Sequence, residues 1–164
     1  MELQNALLDS WDRQCRIVNA VASLVTDENR HFAPEEGGWD LGQQIAHMHS
    51  VRRYFLSEVA PDQGGLLPEV NAKTNSTLEE IRAALVGSGG AVRAAIEAAL
   101  HSGQPMKSDT VTYDHPVLFL QHMVWHDGWH VGQIFLALRR NGQEPSEEWD
   151  EPNVWGQWRT ETWE

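Results

Sequence analysis

Pro116–Gly142, PVLFLQHMVWHDGWHVGQIFLALRRNG, reads as a long helix with both of its ends specified. Proline at the first position costs no hydrogen bond, because that amide has no partner in a helix anyway. Asp114 or His115 can cap the start, and Gly142 sits where a left-handed residue closes a helix. Inside it, His126 and His130 stand four residues apart, so both imidazoles leave one face a turn apart, as a helix presents ligands to a metal. The same spacing also arises from polar packing alone. His122, four residues before His126, extends the pair into a ladder in which either adjacent two could chelate.

Three more helices precede this one. Leu7, Leu8, Trp11, Cys15, Val18, Val21, Ala22 and Val25 recur at three- and four-residue steps and predict a helix over about 3–26. After the Pro34–Gly38 break, Asp40 with Gln43 forms a capping box that opens a helix over 40–59. Pro61, Gly64, Gly65 and Pro68 mark a loop, and Thr77 with Glu80 caps a third helix over 77–101, whose middle Gly87, Gly89 and Gly90 weaken. Gly103 and Pro105 introduce a short extended stretch before the last helix over 116–141. Four long helices and little strand signal predict an all-α chain, a four-helix up-and-down bundle with its second and last helices parallel. The tail, 143–164, holds Trp149, Trp155, Trp158 and Trp163 among acidic residues, and is expected to pack on the bundle and line a pocket or a dimer interface.

A chain of 164 residues, 41% hydrophobic, suffices for one domain spanning 1–164. A formal net charge of -12 argues against nucleic acid and anionic membranes, which attract cationic faces. The start lacks a basic segment followed by an apolar one, and no run approaches the roughly 20 apolar residues of a membrane span, so a cytoplasmic location is expected. The single cysteine, Cys15, lies among apolar residues and reads as a packed thiol. Gly87-Ser88-Gly89-Gly90 lacks the lysine of a phosphate loop.

A metal site open to substrate takes three protein ligands, so a third is needed, and the second helix offers His47 and His49. Leu41, Gln44, Ile45, Met48, Val51, Phe55 and Val59 mark its buried face; His47 borders that face, while His49 turns towards Arg52 and Arg53 and is expected in solvent. With parallel helices, His122 lies at a depth similar to His47 and His130 about two turns deeper, which leaves the choice of pair open. His31, His101 and His115 fall near helix ends. His126-Asp127-x-x-His130 parallels the zinc-protease signature, but aspartate is a methylene shorter than its glutamate and no sheet edge is evident to hold a peptide.

Gly38-Trp39-Asp40-Leu41-Gly42-Gln43-Gln44-Ile45-Ala46-His47, His126-x-x-x-His130-x-Gly132-Gln133 and Leu138-Arg139-Arg140-Asn141-Gly142 together resemble the DinB-like family of small bacterial metal-binding bundles, which includes thiol-dependent transferases. The resemblance covers nearly the whole chain. It implies a metal, zinc or nickel, held by His47, His126 and His130, and often a homodimer whose tail covers the bundle. Asp127 keeps an acidic family position; Trp129 and Val131 depart from the family's usual histidine or small residue and arginine.

A three-imidazole centre leaves the ion's charge largely uncompensated, so thiols and water there lose protons more readily. The expected function is metal-dependent hydrolysis or thiol transfer on a small molecule; the rival is a non-catalytic metal- or ligand-binding dimeric module. Gln133 lies near the histidine face, Asp127 is rotated away from it towards a supporting or capping role, and no general base is assignable.

Overall fold

Asp40 and Thr77 each accept a hydrogen bond from the amide three residues on, and the Gln43 and Glu80 side chains bond back to the capping amides. Both expected capping boxes therefore form. In the structure, a computed structural model describing residues 2–73 and 76–162, they open α2 (Leu41–Val59) and α4 (Leu78–Ser102). The remaining elements are α1 (Leu3–Ser23), a short α3 (Pro61–Gly64), a hairpin of β1 (Met106–Lys107) and β2 (Thr112–Tyr113), α5 (Pro116–Arg140), α6 (Glu147–Asn153) and a single 3-10 turn at Trp155–Gln157. His115 caps α5 through its Nδ1, which accepts from the Val117 amide at 3.2 Å. At the other end Gly142 adopts φ 70°, and the amides of Gly142 and Gln143 return to the carbonyls of Arg139 and Leu138. That is the left-handed closure expected of a glycine there.

The chain is all-α apart from the hairpin, as expected. Helix direction differs from plain up-and-down succession. α1 and α2 both pack against α4 and α5 but hardly against each other. Gln4 reaches the Leu100 carbonyl, Trp11 Nε1 donates to the Gly89 carbonyl at 2.9 Å, and Arg82 donates to that of Ala22, so α1 and α4 are antiparallel. Gln44 meets His130, Arg52 meets Asp127 and Phe55 meets His122, so α2 and α5 are antiparallel too, not parallel. The long 24–40 and 60–77 connections make this possible, because neither forces successive helices to be neighbours.

Two apolar clusters stack along the bundle. One joins Val18, Val21, Leu41, Ile45, Ile81, Leu85 and Ile134; the other joins Leu8, Trp11, Leu56, Val92, Ile96, Phe119 and Met123. α4 stays helical through its glycines. At Gly89 the approach is close, since a Cβ would lie 3.0 Å from Cys15 Sγ and 3.4 Å from Arg52 Nη1, so the thiol would have to give way by a few tenths of an ångström. Cys15 is a packed thiol, its pKa pushed up to about 11 chiefly by burial.

Among the described residues α4 is also long and apolar enough to cross a membrane, with mean hydropathy 1.3 over an 18-residue window. This corrects the expectation that no run reaches that length. Scattered Leu, Val and Ile together with alanines, interrupted by Arg93 and Glu97, give that average, and the helix packs against α1, α2 and α5. The tail folds onto the bundle: Val154 is buried, Trp149 packs on the first cluster beside Phe135, and Arg16 donates to Gln157 at 2.7 Å. Trp155 and Trp158 remain exposed, and Trp163 lies outside the described residues.

Candidate metal centre

The antiparallel register sets His47 on α2 opposite His126 and His130 on α5. Ring centroids lie 5.2 Å apart for His47 and His126, 4.9 Å for His47 and His130, and 4.6 Å for His126 and His130. One nitrogen from each ring falls within 4.8 Å of the others, a spacing that can hold a metal ion. Among the described residues no fourth His, Cys, Asp or Glu joins this group.

The nitrogens are prepared in different ways. His130 is buried, and its Nδ1 hydrogen-bonds to Gln44 Oε1. Gln44 in turn donates from Nε2 to the Trp39 carbonyl at 3.3 Å, which fixes the amide with its oxygen towards the ring. An oxygen there can only accept, so Nδ1 carries the proton and the lone pair sits on Nε2. Burial, with His126 and His47 as neighbours, pulls the His130 pKa down to about 4. Burial and His126 also lower that of His47. Both rings are thus held in the neutral form that a metal requires. His126 Nδ1 is buried with no hydrogen-bond partner and lies 3.8 Å from Asp127 Oδ1, which is likewise unpartnered. Three neutral or unpartnered imidazole donors in one cluster fit a divalent cation.

Asp127 turns away from the three histidines towards α2. It is fully buried, and its Oδ2 accepts from Arg52 Nη2 at 2.6 Å. Arg52 also donates to the Leu85 carbonyl at 3.0 Å and sits 5.1 Å from the Trp11 ring centroid. Sequence reasoning placed Arg52 and His49 on a solvated side; both are buried. The two ring nitrogens of His49 face the carbonyls of Ala84 at 2.9 Å and Pro68 at 2.8 Å, tying the loop after α3 to α4. The reason is that α4 and this loop cover the side of α2 that a helical wheel leaves empty.

His122 does not join the three. Its Nδ1 pairs with Tyr113 Oη at 2.8 Å, and its ring packs on Phe55. Gln133 is half-buried, with no side-chain hydrogen bond among the described residues. His101 lies exposed in the last turn of α4, and His31 lies exposed in the connection between α1 and α2.

Trp39 was quoted only as a motif residue, yet its ring lies edge-on to His47 at 4.5 Å and stacks with His130 at 6.2 Å. A cavity of about 220 Å³ opens beside it, lined by Trp39, Gln43, His47, Val70, Asn71 and Lys73 among others. Among the described residues Lys73 is its one charged lining residue, and no carboxylate lines it. Gln44 and Trp39 were missed as supports for the site; the available signal was a glutamine on the apolar face of the second helix, three residues before the candidate ligand.

No curated protein and no solved structure matches the chain. The model of the DinB family matches residues 1–149, which span the bundle and the three histidines. The chain belongs to the DinB family.

Proposed function

We propose that the chain is a metal-dependent transferase that joins a small-molecule thiol to an electrophile, with His47, His126 and His130 holding one divalent ion. The observation that carries this reading is a three-histidine group, without a fourth protein donor among the described residues, of which one member, His47, lines a cavity of about 220 Å³. Structural ions are usually closed by four protein ligands, whereas three leave room for reactants. When bound, the ion supplies a Lewis acid that lowers the pKa of an incoming thiol and polarises its electrophile. Zinc and nickel both suit imidazole donors.

Thiol transfer is favoured over hydrolysis by what the cavity lacks. Water, a weaker acid than a thiol, needs a base more, and the carboxylate beside His126, that of Asp127, is buried and paired with Arg52. A thiol ionises near pH 8.5 unaided, so a modest shift makes it a nucleophile without a carboxylate. In the reaction a sulfur–carbon bond forms, the leaving group departs with the electron pair of its bond, and the thiol proton passes to solvent. Lys73 can orient an anionic group on either reactant, and Trp39 walls the histidines on one side. A reducing cytoplasm would supply the thiol.

The test is elemental analysis of untagged protein beside the His47→Ala, His126→Ala, His130→Ala triple variant, followed by thiol consumption with an aryl halide after loading with zinc or nickel. One equivalent of metal and thiol turnover, both lost in the triple variant, are expected. Turnover that persists in the triple variant would sink the proposal; ester cleavage without thiol consumption would make the protein a hydrolase.

A further inference from the structure

The cavity beside Trp39 is rich in hydrogen-bond donors and short of acceptors. Gln43 Oε1 accepts from the Asp40 amide at 3.1 Å, and Asn71 Oδ1 accepts from the Lys73 amide at 2.9 Å. A backbone amide can only donate, so both lining side chains are fixed with their oxygens taken and their amide N–H groups left over. The Ser50 hydroxyl donates to the Ala46 carbonyl at 2.9 Å. Lys73 adds an ammonium that pairs with no carboxylate among the described residues, in a chain with 24 acidic and 12 basic side chains. The rest of the wall is mostly apolar: Trp39, at 44% exposure, with Ala46, Val70 and Ala72.

We propose that this cavity is the subsite of the electrophile, and that the electrophile is a small carboxylate with an apolar body of one ring. The assignment rests on the thiol-transfer reading above. Charge sets the sign: a cationic molecule would meet Lys73 and the divalent ion with no carboxylate to answer it, whereas an anion is drawn by both. A carboxylate, planar with two acceptor oxygens, takes Lys73 and a leftover side-chain amide together. Size sets the body. At about 220 Å³ the cavity is smaller than the roughly 300–1,000 Å³ that holds a drug-sized ligand, which leaves space for a single ring and a short acidic arm.

A neighbouring space decides which of the two reactants this is. A second cavity of about 450 Å³ shares Ser50, Val70 and Asn71 with the first and is lined beyond them by His49, Arg53, Glu69 and Ser76. Arg53 and Glu69 pair there at 3.0 Å, so it offers hydrogen bonds of both senses. That larger, polar space suits the body of a thiol bearing amide or hydroxyl groups, and the smaller, more apolar one is left to the electrophile.

Paired aryl chlorides test the assignment: an ortho-chloronitrobenzoate and the matching neutral chloronitrobenzamide. In either reaction the thiol sulfur bonds to the ring carbon, chloride leaves with the electron pair, and the thiol proton passes to solvent. With zinc- or nickel-loaded protein KM should be about tenfold lower for the benzoate, a preference that Lys73→Gln erases and Lys73→Arg keeps. Binding is read apart from turnover, by calorimetry of meta-nitrobenzoate, which has no leaving group, on metal-free protein; Lys73→Gln should weaken it about tenfold. Binding that depends on Lys73 without any turnover would support the carboxylate subsite and count against thiol transfer. Turnover with equal KM for benzoate and benzamide would overturn the subsite and leave thiol transfer standing. Nitrobenzoate binding seen only in loaded protein and indifferent to Lys73 would place the carboxylate on the ion and overturn it too. So would a Lys73→Gln effect confined to the KM of an anionic thiol, mercaptosuccinate, since the thiol would then occupy this cavity.

Discussion

In the layer formed by Arg52 and Asp127, opposite charges meet at 2.6 Å and both side chains are buried. About one turn nearer the start of α2, in the layer of Gln44, His47, His126 and His130, like groups face one another and their lone pairs find no protein donor. In the first layer each charge answers the other, with Leu85 and the Trp11 ring taking up part of the guanidinium, and only Arg52 Nε and Asp127 Oδ1 are left without a bond. The second is open, and in it burial with neighbouring imidazoles holds His130 and His47 in the neutral form that a cation can use. The layers touch where Asp127 Oδ1 lies 3.8 Å from His126 Nδ1. A buried polar residue therefore identifies a site only through what it lacks, since Arg52 is more deeply buried than any of the three histidines and serves packing.

The sharpest way to break this contrast is to open the charged layer. Asp127→Ala strands the Arg52 guanidinium and should destabilise the metal-free protein by about 3–5 kcal/mol, measured by denaturant unfolding. Arg52→Met combined with Asp127→Leu should recover most of that loss. A single variant within experimental error of wild type would show that the pair is not the structural layer. Filling the open layer should do the reverse. Zinc or nickel at 100-fold above its Kd should stabilise the wild type by about 2.7 kcal/mol and leave His126→Ala unmoved, read as the shift in thermal midpoint.

Smaller changes sharpen the division of labour within the open layer. Gln44→Leu removes the acceptor that sets the His130 tautomer and should weaken metal binding by about 10–100-fold, in competition with a chromophoric chelator. Gln44→Glu keeps an acceptor and should restore binding; equal losses in both variants would assign Gln44 to packing alone. A further change concerns pH and the metal-free protein. His130 titrates near 4 when folded against 6.5 for an unperturbed histidine, so between these values the unfolded chain binds the proton and the folded one does not. Its contribution to stability is whole above pH 6.5 and declines as pH falls towards 4. His130→Gln should flatten that decline in urea titrations taken at successive pH values, and an unaltered slope would contradict the neutral assignment.

Most helix ends were legible because they are decided within four residues. Asp40 with Gln43, Thr77 with Glu80, Pro116 and Gly142 act through contacts that their own neighbours complete. The pairing of His126 with His130 was legible for the same reason. Selecting His47 over His49, and this pair over His122, was another matter: residue spacing left the alternatives open, and the family resemblance pointed to the three that the structure brings together. The depth comparison that kept His122 in play assumed parallel helices, and the antiparallel register removes it by carrying His122 down to Phe55 and Tyr113.

Local chemistry thus determined by itself where the long helices begin and end, which faces are apolar and that α5 presents histidines one turn apart. Only the tertiary structure decided that α2 lies antiparallel to α5, that Arg52 and His49 are interior, and that Gln44 and Trp39 support the histidines. The physical reason is range. Caps and periodicity are satisfied by bonds closed within a turn or two, whereas the partner of a buried polar group is chosen by which helix faces it across the core, and no single helix carries that information.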